Sequence, residues 1–248
     1  MTSRTAVVTG ASGGIGAATA RALSALGFDV VLGARRLDRL AAVAGGCPGP
    51  GAARALPLDV TSTGSVEAFA ELVERCDVLV NNAGGALGLG PVARADEEQW
   101  RWMYDANVLG TMRVTRALLP RLLAAPAGHV VNVGSVAGVE VYDGGAGYTA
   151  AKHGLRAVSQ TLRLELLGTP VRITEIAPGM VETDFSLVRL GSREAADRVY
   201  AGMTPLTADD VADVIGFAVT RPPHVCLDYV LVKPTDQATA TRVHRRAT

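Results

Sequence analysis

The chain has 248 residues, 48% of them hydrophobic, with 24 acidic and 24 basic side chains. That length suits one α/β domain covering residues 1–248, and the even charge argues against the basic surface that nucleic acid or an acidic membrane would require. No apolar run reaches the roughly 18 residues of a membrane span, and the first apolar run is too short for a signal peptide, so a cytoplasmic protein is expected.

Short runs rich in Val, Leu and Ile alternate with longer helical patterns. In chain order, strands are expected at Thr5–Thr9, Asp29–Leu32, Ala53–Leu58, Asp77–Val80, His129–Val133, Val171–Ile176 and Asp228–Val232. Helices are expected at Gly14–Leu26, Leu37–Val43, Val66–Arg75, Glu97–Leu123, Tyr148–Leu167, Arg193–Ala201 and Ala208–Thr220. This alternation predicts βαβ units and a parallel sheet. Several strands are nearly continuous in apolar residues, as when helices cover both faces. Gly45–Gly51 reads as a surface loop, and Arg242, Arg245 and Arg246 as a short solvated tail. Cys47, Cys76 and Cys226 are odd in number and widely spaced, so neither a disulfide framework nor a metal site is expected.

The first strand runs into Thr9-Gly10-Ala11-Ser12-Gly13-Gly14-Ile15-Gly16 and then a helical pattern. Gly10, Gly14 and Gly16 permit a tight turn that backbone and ligand can share. The helix behind them aims unpaired N–H groups and a positive dipole end at a pyrophosphate. Ser12 and Ile15 lie in the same turn. The second strand leads to Ala34, Arg35 and Arg36, where an NAD site would carry an acid for the ribose 2′-hydroxyl. Guanidinium pairs with a 2′-phosphate instead, so the cofactor is expected to be NADP(H), with Arg35 the first choice and Arg36 the second. Asp59 and Val60 follow the third strand and suit the adenine. Asn82, Ala83 and Gly84 follow the fourth, where open sheets bind ligands, and Asn81 beside them suits a structural role equally well.

Tyr148 and Lys152 stand four residues apart on a predicted helix and so share a face. The phenol has an ordinary pKa near 10, and a neighbouring ammonium favours its ionised form. The chain uses 22 arginines and only two lysines, Lys152 and Lys233, so a lysine at this spacing points to a need that guanidinium does not meet. Ser135 ends the fifth strand, 13 residues before Tyr148, and could hold a substrate oxygen beside the phenol. Asn107 lies inside a predicted helix, where Asn is mildly unfavourable; a local break or a bound water would explain it.

Together these residues resemble the short-chain dehydrogenase/reductase family in its compact single-domain, NADP-preferring branch. The resemblance rests on T-G-x-x-x-G-x-G at Thr9–Gly16, N-N-A-G at Asn81–Gly84, Asn107, Ser135, Y-x-x-x-K at Tyr148–Lys152, and Pro178-Gly179 with Thr183. It implies a Rossmann-type doubly wound α/β fold with seven mainly parallel strands flanked by helices on both faces. It also implies hydride transfer between nicotinamide and a carbonyl or alcohol carbon. Tyr148 would be the general acid in reduction, Lys152 would lower its pKa and bind the ribose, and Ser135 would orient the substrate oxygen. Asn107 would anchor a water linking Lys152 to solvent. Pro178, Gly179, Val181 and Thr183 would border the nicotinamide. The family forms homodimers and homotetramers through the two long helices, and the same is expected here.

Substrate recognition is expected from Val136–Gly147 and from about 180–205. Val139, Val141, Tyr142, Phe185, Leu187 and Val188 suggest an apolar pocket; Glu140, Asp143 and Asp184 would suit a polar group. Two readings compete with a ketone or aldehyde reductase. A non-catalytic NADP-sensing regulator need not keep Asn107, Ser135, Tyr148 and Lys152 together. A lyase or epimerase of this type usually carries a longer C-terminal substrate domain.

Overall fold

The computed structural model describes residues 3–246. Seven strands form one sheet in the order β3-β2-β1-β4-β5-β6-β7, with β1 Thr5–Thr9, β2 Asp29–Ala34, β3 Ala53–Pro57, β4 Val78–Asn81, β5 His129–Val133, β6 Arg172–Pro178 and β7 Tyr229–Val232. All six strand pairs are parallel. The helices are α1 Gly14–Ala25, α2 Leu37–Gly45, α3 Thr63–Glu71, α4 Glu97–Tyr104, α5 Gly110–Ala124, α6 Ala146–Glu165, α7 Asp184–Leu190, α8 Arg193–Tyr200 and α9 Ala208–Val219.

Alternation along the strands divides the core in two. Ala6, Val8, Val30, Leu32, Val78 and Val80 face one way and pack with Leu23 of α1 and Val211, Ile215 and Val219 of α9. Val7, Val31, Leu79 and Val130 face the other way and pack with Phe69 of α3 and Val114, Leu118 and Leu122 of α5. Both sheet faces are therefore dry, which is why β5 and β6 are buried at every position. Each fully buried Leu or Phe contributes about 1.5–3 kcal/mol of transfer free energy.

Polar groups in this interior are bonded in rows. The Asn81 amide on β4 donates to Asn132 Oδ1 on β5 at 2.9 Å and to Thr115 Oγ1 at 2.9 Å. Asn132 in turn donates to Ser159 of α6 at 3.0 Å. Asn81 is thus a cross-strand tie and takes no part in the crevice.

Three features differ from the sequence expectation. The long helix at Glu97–Leu123 is broken by five π-helical residues, Asp105–Leu109, between α4 and α5. A short helix, α7, occupies a stretch expected as loop; Thr183 caps it by accepting from the Phe185 amide at 3.3 Å. The arginines of the C-terminal tail are exposed as expected, but they are anchored. Arg246 pairs with Asp236 at 3.0 Å, and Arg245 donates to Val199 O at 3.0 Å. No helix among the described residues is long and apolar enough to cross a membrane.

Candidate active site

Strand order reverses at β1, with β2 and β3 to one side and β4 to β7 to the other. Loops leaving the carboxyl ends of β1 and β4 must therefore part, and a crevice opens between them. A cavity of about 910 Å³ lies there. It is lined by the glycine turn, Arg35 and Arg36, Asp59 and Val60, Asn82 to Gly84, Ser135, Tyr148, Lys152, Pro178, Gly179, Val181 and Thr183. Nearly every residue singled out in the sequence thus meets on one surface; Gly16 and Asn107 stand just behind it.

The glycine turn is shaped by close approach. Gly10 has φ +66°, and a Cβ there would come within 2.9 Å of the Ala83 backbone. A Cβ on Gly16 would lie 2.5 Å from Gly10 O. Asn82 supports the turn from below, its amide donating to Thr9 O at 3.0 Å. Gly13 opens α1 without any side-chain cap, so the first amides of the helix face the crevice unpaired. An anionic group fits there with no side chain in its way, and the positive end of the helix favours it. Thr183 closes the turn from the opposite wall, its Cγ2 3.4 Å from where a Gly14 Cβ would stand.

At the far end, Arg36 reaches back over the turn and donates to Ser12 Oγ through Nη2 at 3.1 Å and Nε at 3.3 Å. Arg35 is exposed and acts electrostatically on Asp59. Burial alone would raise the Asp59 pKa; the Thr61 hydroxyl and amide, with Arg35, reverse that and hold it below the ordinary carboxylate value. Both arginines line this end of the cavity. The second, held on the glycine turn, is better fixed than the first.

At the other end stand Ser135, Tyr148 and Lys152, each less than a tenth exposed. The Ser135 hydroxyl accepts from the Ala137 amide at 3.1 Å, which fixes it at the end of β5. Lys152 Nζ donates to Val133 O at 3.0 Å and lies 5.8 Å from the centroid of the Tyr148 ring. Burial lowers the Lys152 pKa to about 8, and buried Glu175 on β6 raises it in part. Burial also drives the Tyr148 phenol above the ordinary tyrosine range; the Ser135 hydroxyl and Arg189 pull the other way. Arg189 is thus a cation that favours the phenolate, and one the sequence reading missed.

Asn107 is 1% exposed in the π-helical segment. Its amide donates to Met103 O at 2.7 Å and Gly85 O at 2.8 Å, and its Oδ1 accepts from the Gly85 amide at 3.3 Å. A π turn frees carbonyls that a side chain can then satisfy. Here the side chain staples the broken helix to the loop after β4 and makes no direct hydrogen bond to Lys152.

The substrate side is built by Leu87, Leu89, Trp102, Tyr142, Phe185, Val188 and Arg189. Phe185 meets the Tyr148 ring with centroids 5.6 Å apart. Of the residues expected there, Tyr142, Asp143, Asp184, Phe185 and Val188 do line the cavity, whereas Val139, Glu140, Val141 and Leu187 do not. Glu140 instead pairs with Lys233 at 3.5 Å. Gln237, Ala240 and Thr241 of the C-terminal segment reach the cavity, with Gln237 Oε1 accepting from the Met180 amide at 2.8 Å. Nothing in the local sequence marks Gln237 or Arg189; both enter through the path of the chain. Among the described residues no cluster of three His, Cys, Asp or Glu could hold a metal ion.

A parallel sheet of this order, with a glycine turn at its switch point and a Tyr-Lys-Ser centre beside it, defines a dinucleotide-binding α/β oxidoreductase. The model of the short chain dehydrogenases matches residues 4–189, and the chain belongs to that family. An uncharacterized oxidoreductase of Mycobacterium tuberculosis is 62% identical over 240 residues, 96% of this chain and 94% of the relative. A sulfoacetaldehyde reductase of Chromohalobacter salexigens is 42% identical over 93% of this chain and 94% of its own. Among solved structures, the closed form of a serine dehydrogenase complexed with NADP+ superposes with a TM-score of 0.90 at 35% identity, covering 98% of this chain and 100% of that one.

Proposed function

We propose that this protein is an NADP(H)-dependent oxidoreductase that interconverts a carbonyl and an alcohol, with reduction of a small aldehyde or ketone its main direction. The observation that carries this reading is the meeting of Ser135, Tyr148 and Lys152 at one end of a crevice whose other end holds two arginines and an uncapped helix terminus. One domain, residues 1–248, would hold both cofactor and substrate, with 180–205 as the substrate region. The sulfoacetaldehyde reductase and the NADP+-bound serine dehydrogenase support both the cofactor and the reaction class.

Bound cofactor supplies the hydride. Tyr148 gives its phenolic proton to the carbonyl oxygen during reduction and takes it back in oxidation. Ser135 donates a hydrogen bond to the same oxygen and fixes its position. Lys152 binds the ribose hydroxyls and feeds protons towards the phenol. Asn107 holds the loop after β4 against the pocket and, through the backbone it steadies, positions the relay. Gly10, Ser12, Gly14, Ile15 and Gly16 would hold the pyrophosphate, Asp59 and Val60 the adenine, and Asn82, Ala83, Gly84, Pro178, Gly179, Val181 and Thr183 the remainder of the dinucleotide towards the nicotinamide.

Turnover of NADPH with a panel of small aldehydes and ketones tests this reading. Tight NADPH binding without turnover of any of them favours the regulator. Cofactor choice has its own test. Arg35→Ala and Arg36→Ala should each weaken NADPH binding about tenfold or more, with NADH binding changed less than about threefold, because a charge-assisted contact is lost only with the 2′-phosphate. Equal losses for the two cofactors would remove both residues as discriminators.

We further propose a cytoplasmic homodimer or homotetramer. Three cysteines left unpaired suit a reducing compartment. The two segments expected to pair, Glu97–Leu123 and Tyr148–Leu167, leave Tyr104, Leu123, Leu164 and Leu167 exposed. Light scattering at micromolar concentration gives the mass directly.

A further inference from the structure

We propose that Arg189 is an anion-binding residue of the substrate pocket, so that the substrate is a short carbonyl compound or alcohol carrying a carboxylate or sulfonate. The inference rests on the oxidoreductase reading and adds to it the charge and length of the molecule turned over.

Four cations line the cavity: Arg35, Arg36, Lys152 and Arg189. The first two stand just past the end of β2, and Lys152, which donates to Val133 O, is the residue assigned to the ribose. Arg189 alone is a guanidinium at the substrate end. Its Cζ lies 5.5 Å from the ring centroid of Tyr148 and 5.5 Å from that of Tyr142. Two of its donors are used to hold it: Nε donates to Gly88 O at 3.1 Å and Nη1 to the Tyr142 hydroxyl at 2.9 Å. The backbone is clamped as well, the Gly88 amide donating to Arg189 O at 3.2 Å. The remaining edge, at Nη2, has no hydrogen-bond partner among the described residues, and no carboxylate lies within ion-pair distance of the group.

Of the acids nearby, Asp184, on the same helix, is paired with Arg39 at 3.2 Å, and Asp143, exposed and also lining the cavity, forms no ion pair with Arg189. The neighbouring lining residues Leu87, Trp102, Phe185 and Val188 are apolar and offer the guanidinium no competing acceptor. A half-buried guanidinium oriented by two fixed acceptors and left without a counter-charge is a preformed receptor for a planar or tetrahedral oxyanion. Its closeness to Tyr148 sets the length. With Cζ 5.5 Å from the Tyr148 ring centroid, a carbonyl oxygen at the phenol and an anion at the guanidinium are a few bonds apart, which fits short 3-oxo and 3-hydroxy acids. In oxidation the balance is a 3-hydroxy acid and NADP+ giving the 3-oxo acid, NADPH and a proton; reduction is the reverse.

Arg189 also favours the Tyr148 phenolate. If that were its whole role, its loss would slow every substrate alike. The experiment therefore compares 3-hydroxypropionate and 3-hydroxybutyrate with their methyl esters, as substrates for NADP+ reduction. Wild type should favour the acids, and Arg189→Gln should lower the acid-to-ester ratio of kcat/KM by at least about tenfold, mainly through KM. Arg189→Lys should keep part of that ratio, while Arg94→Gln, exposed and outside the cavity lining, should keep all of it. NADPH affinity of each variant reports that the pocket is intact. Esters used as well as acids by wild type would overturn the proposal, as would an equal loss on both in Arg189→Gln. Should wild type reduce neutral aldehydes but use neither acid, the anion site falls and the oxidoreductase reading stands. Should it turn over no carbonyl compound at all while binding NADPH, both fall.

Discussion

Tyr148→Phe is expected to lower kcat for carbonyl reduction by about a thousandfold, within the range that a positioned general acid supplies, while NADPH affinity changes less than about threefold. Only one hydroxyl is removed. The ring is 8% exposed and held against Phe185, so Phe at this position keeps the packing and the shape of α6. What is lost is the proton for the carbonyl oxygen. Ser135 can hold the oxygen, but its hydroxyl is too weak an acid to protonate it.

The environment of the phenol also sets the direction of its pH dependence. Burial raises its pKa above the ordinary tyrosine value, against the pull of Ser135 and Arg189. It is therefore protonated throughout the neutral range, the form needed for reduction. Reduction should accordingly be level from pH 6 to 10, whereas oxidation, which needs the phenolate, should rise as pH increases across that range. Rates followed by NADPH absorbance between pH 6 and 10 test both limbs. A Tyr148→Phe variant that keeps wild-type rates would end the assignment.

The sequence made the cofactor half of the site readable because that half is local. A glycine turn between a strand and a helix is one contiguous segment, and Gly10 to Gly16 form it from their own backbone. Arg35 and Arg36 follow their strand by one and two residues, so the strand itself aims them at the crevice. Tyr148 and Lys152 are related by one helical turn. The substrate half has no such register. Arg189 is brought to Tyr148 across 41 positions of sequence by the short helix α7, and Gln237 reaches Met180 from the C-terminal segment. Helix α7 itself was illegible as a pattern, since seven residues give barely two turns of apolar period. The π turn at Asp105–Leu109 was legible only as an anomaly. Asn107 was an unfavourable residue in an otherwise good helix, and the structure explains it by the carbonyls of Met103 and Gly85 that its amide satisfies.

Lys152→Met is expected to abolish most turnover and yet to stabilise the protein near neutral pH. The activity loss should reach at least about a hundredfold, since ribose contact and proton supply go together. The stability gain follows from burial. Folding takes the ammonium from an ordinary pKa of 10.5 to about 8. Below pH 8 the proton is bound in both states, and the folded state bears the whole cost, on the order of 3 kcal/mol. Between pH 8 and 10.5 the folded protein releases the proton while the unfolded chain keeps it, so wild-type stability rises with pH through this window. Above it the penalty is gone. Methionine carries no proton, so the advantage of Lys152→Met should be largest at pH 7 and shrink steadily towards pH 10. Part of it is offset throughout because Val133 O loses its donor and Glu175 its neighbouring cation. Urea denaturation of both proteins at pH 7, 8.5 and 10 measures the difference. A stability difference that stays level across that range would mean that Lys152 is not held charged against its burial. A gain that fades with pH would show that the fold gives up stability to keep one ammonium beside the phenol, in a chain that elsewhere uses arginine almost without exception.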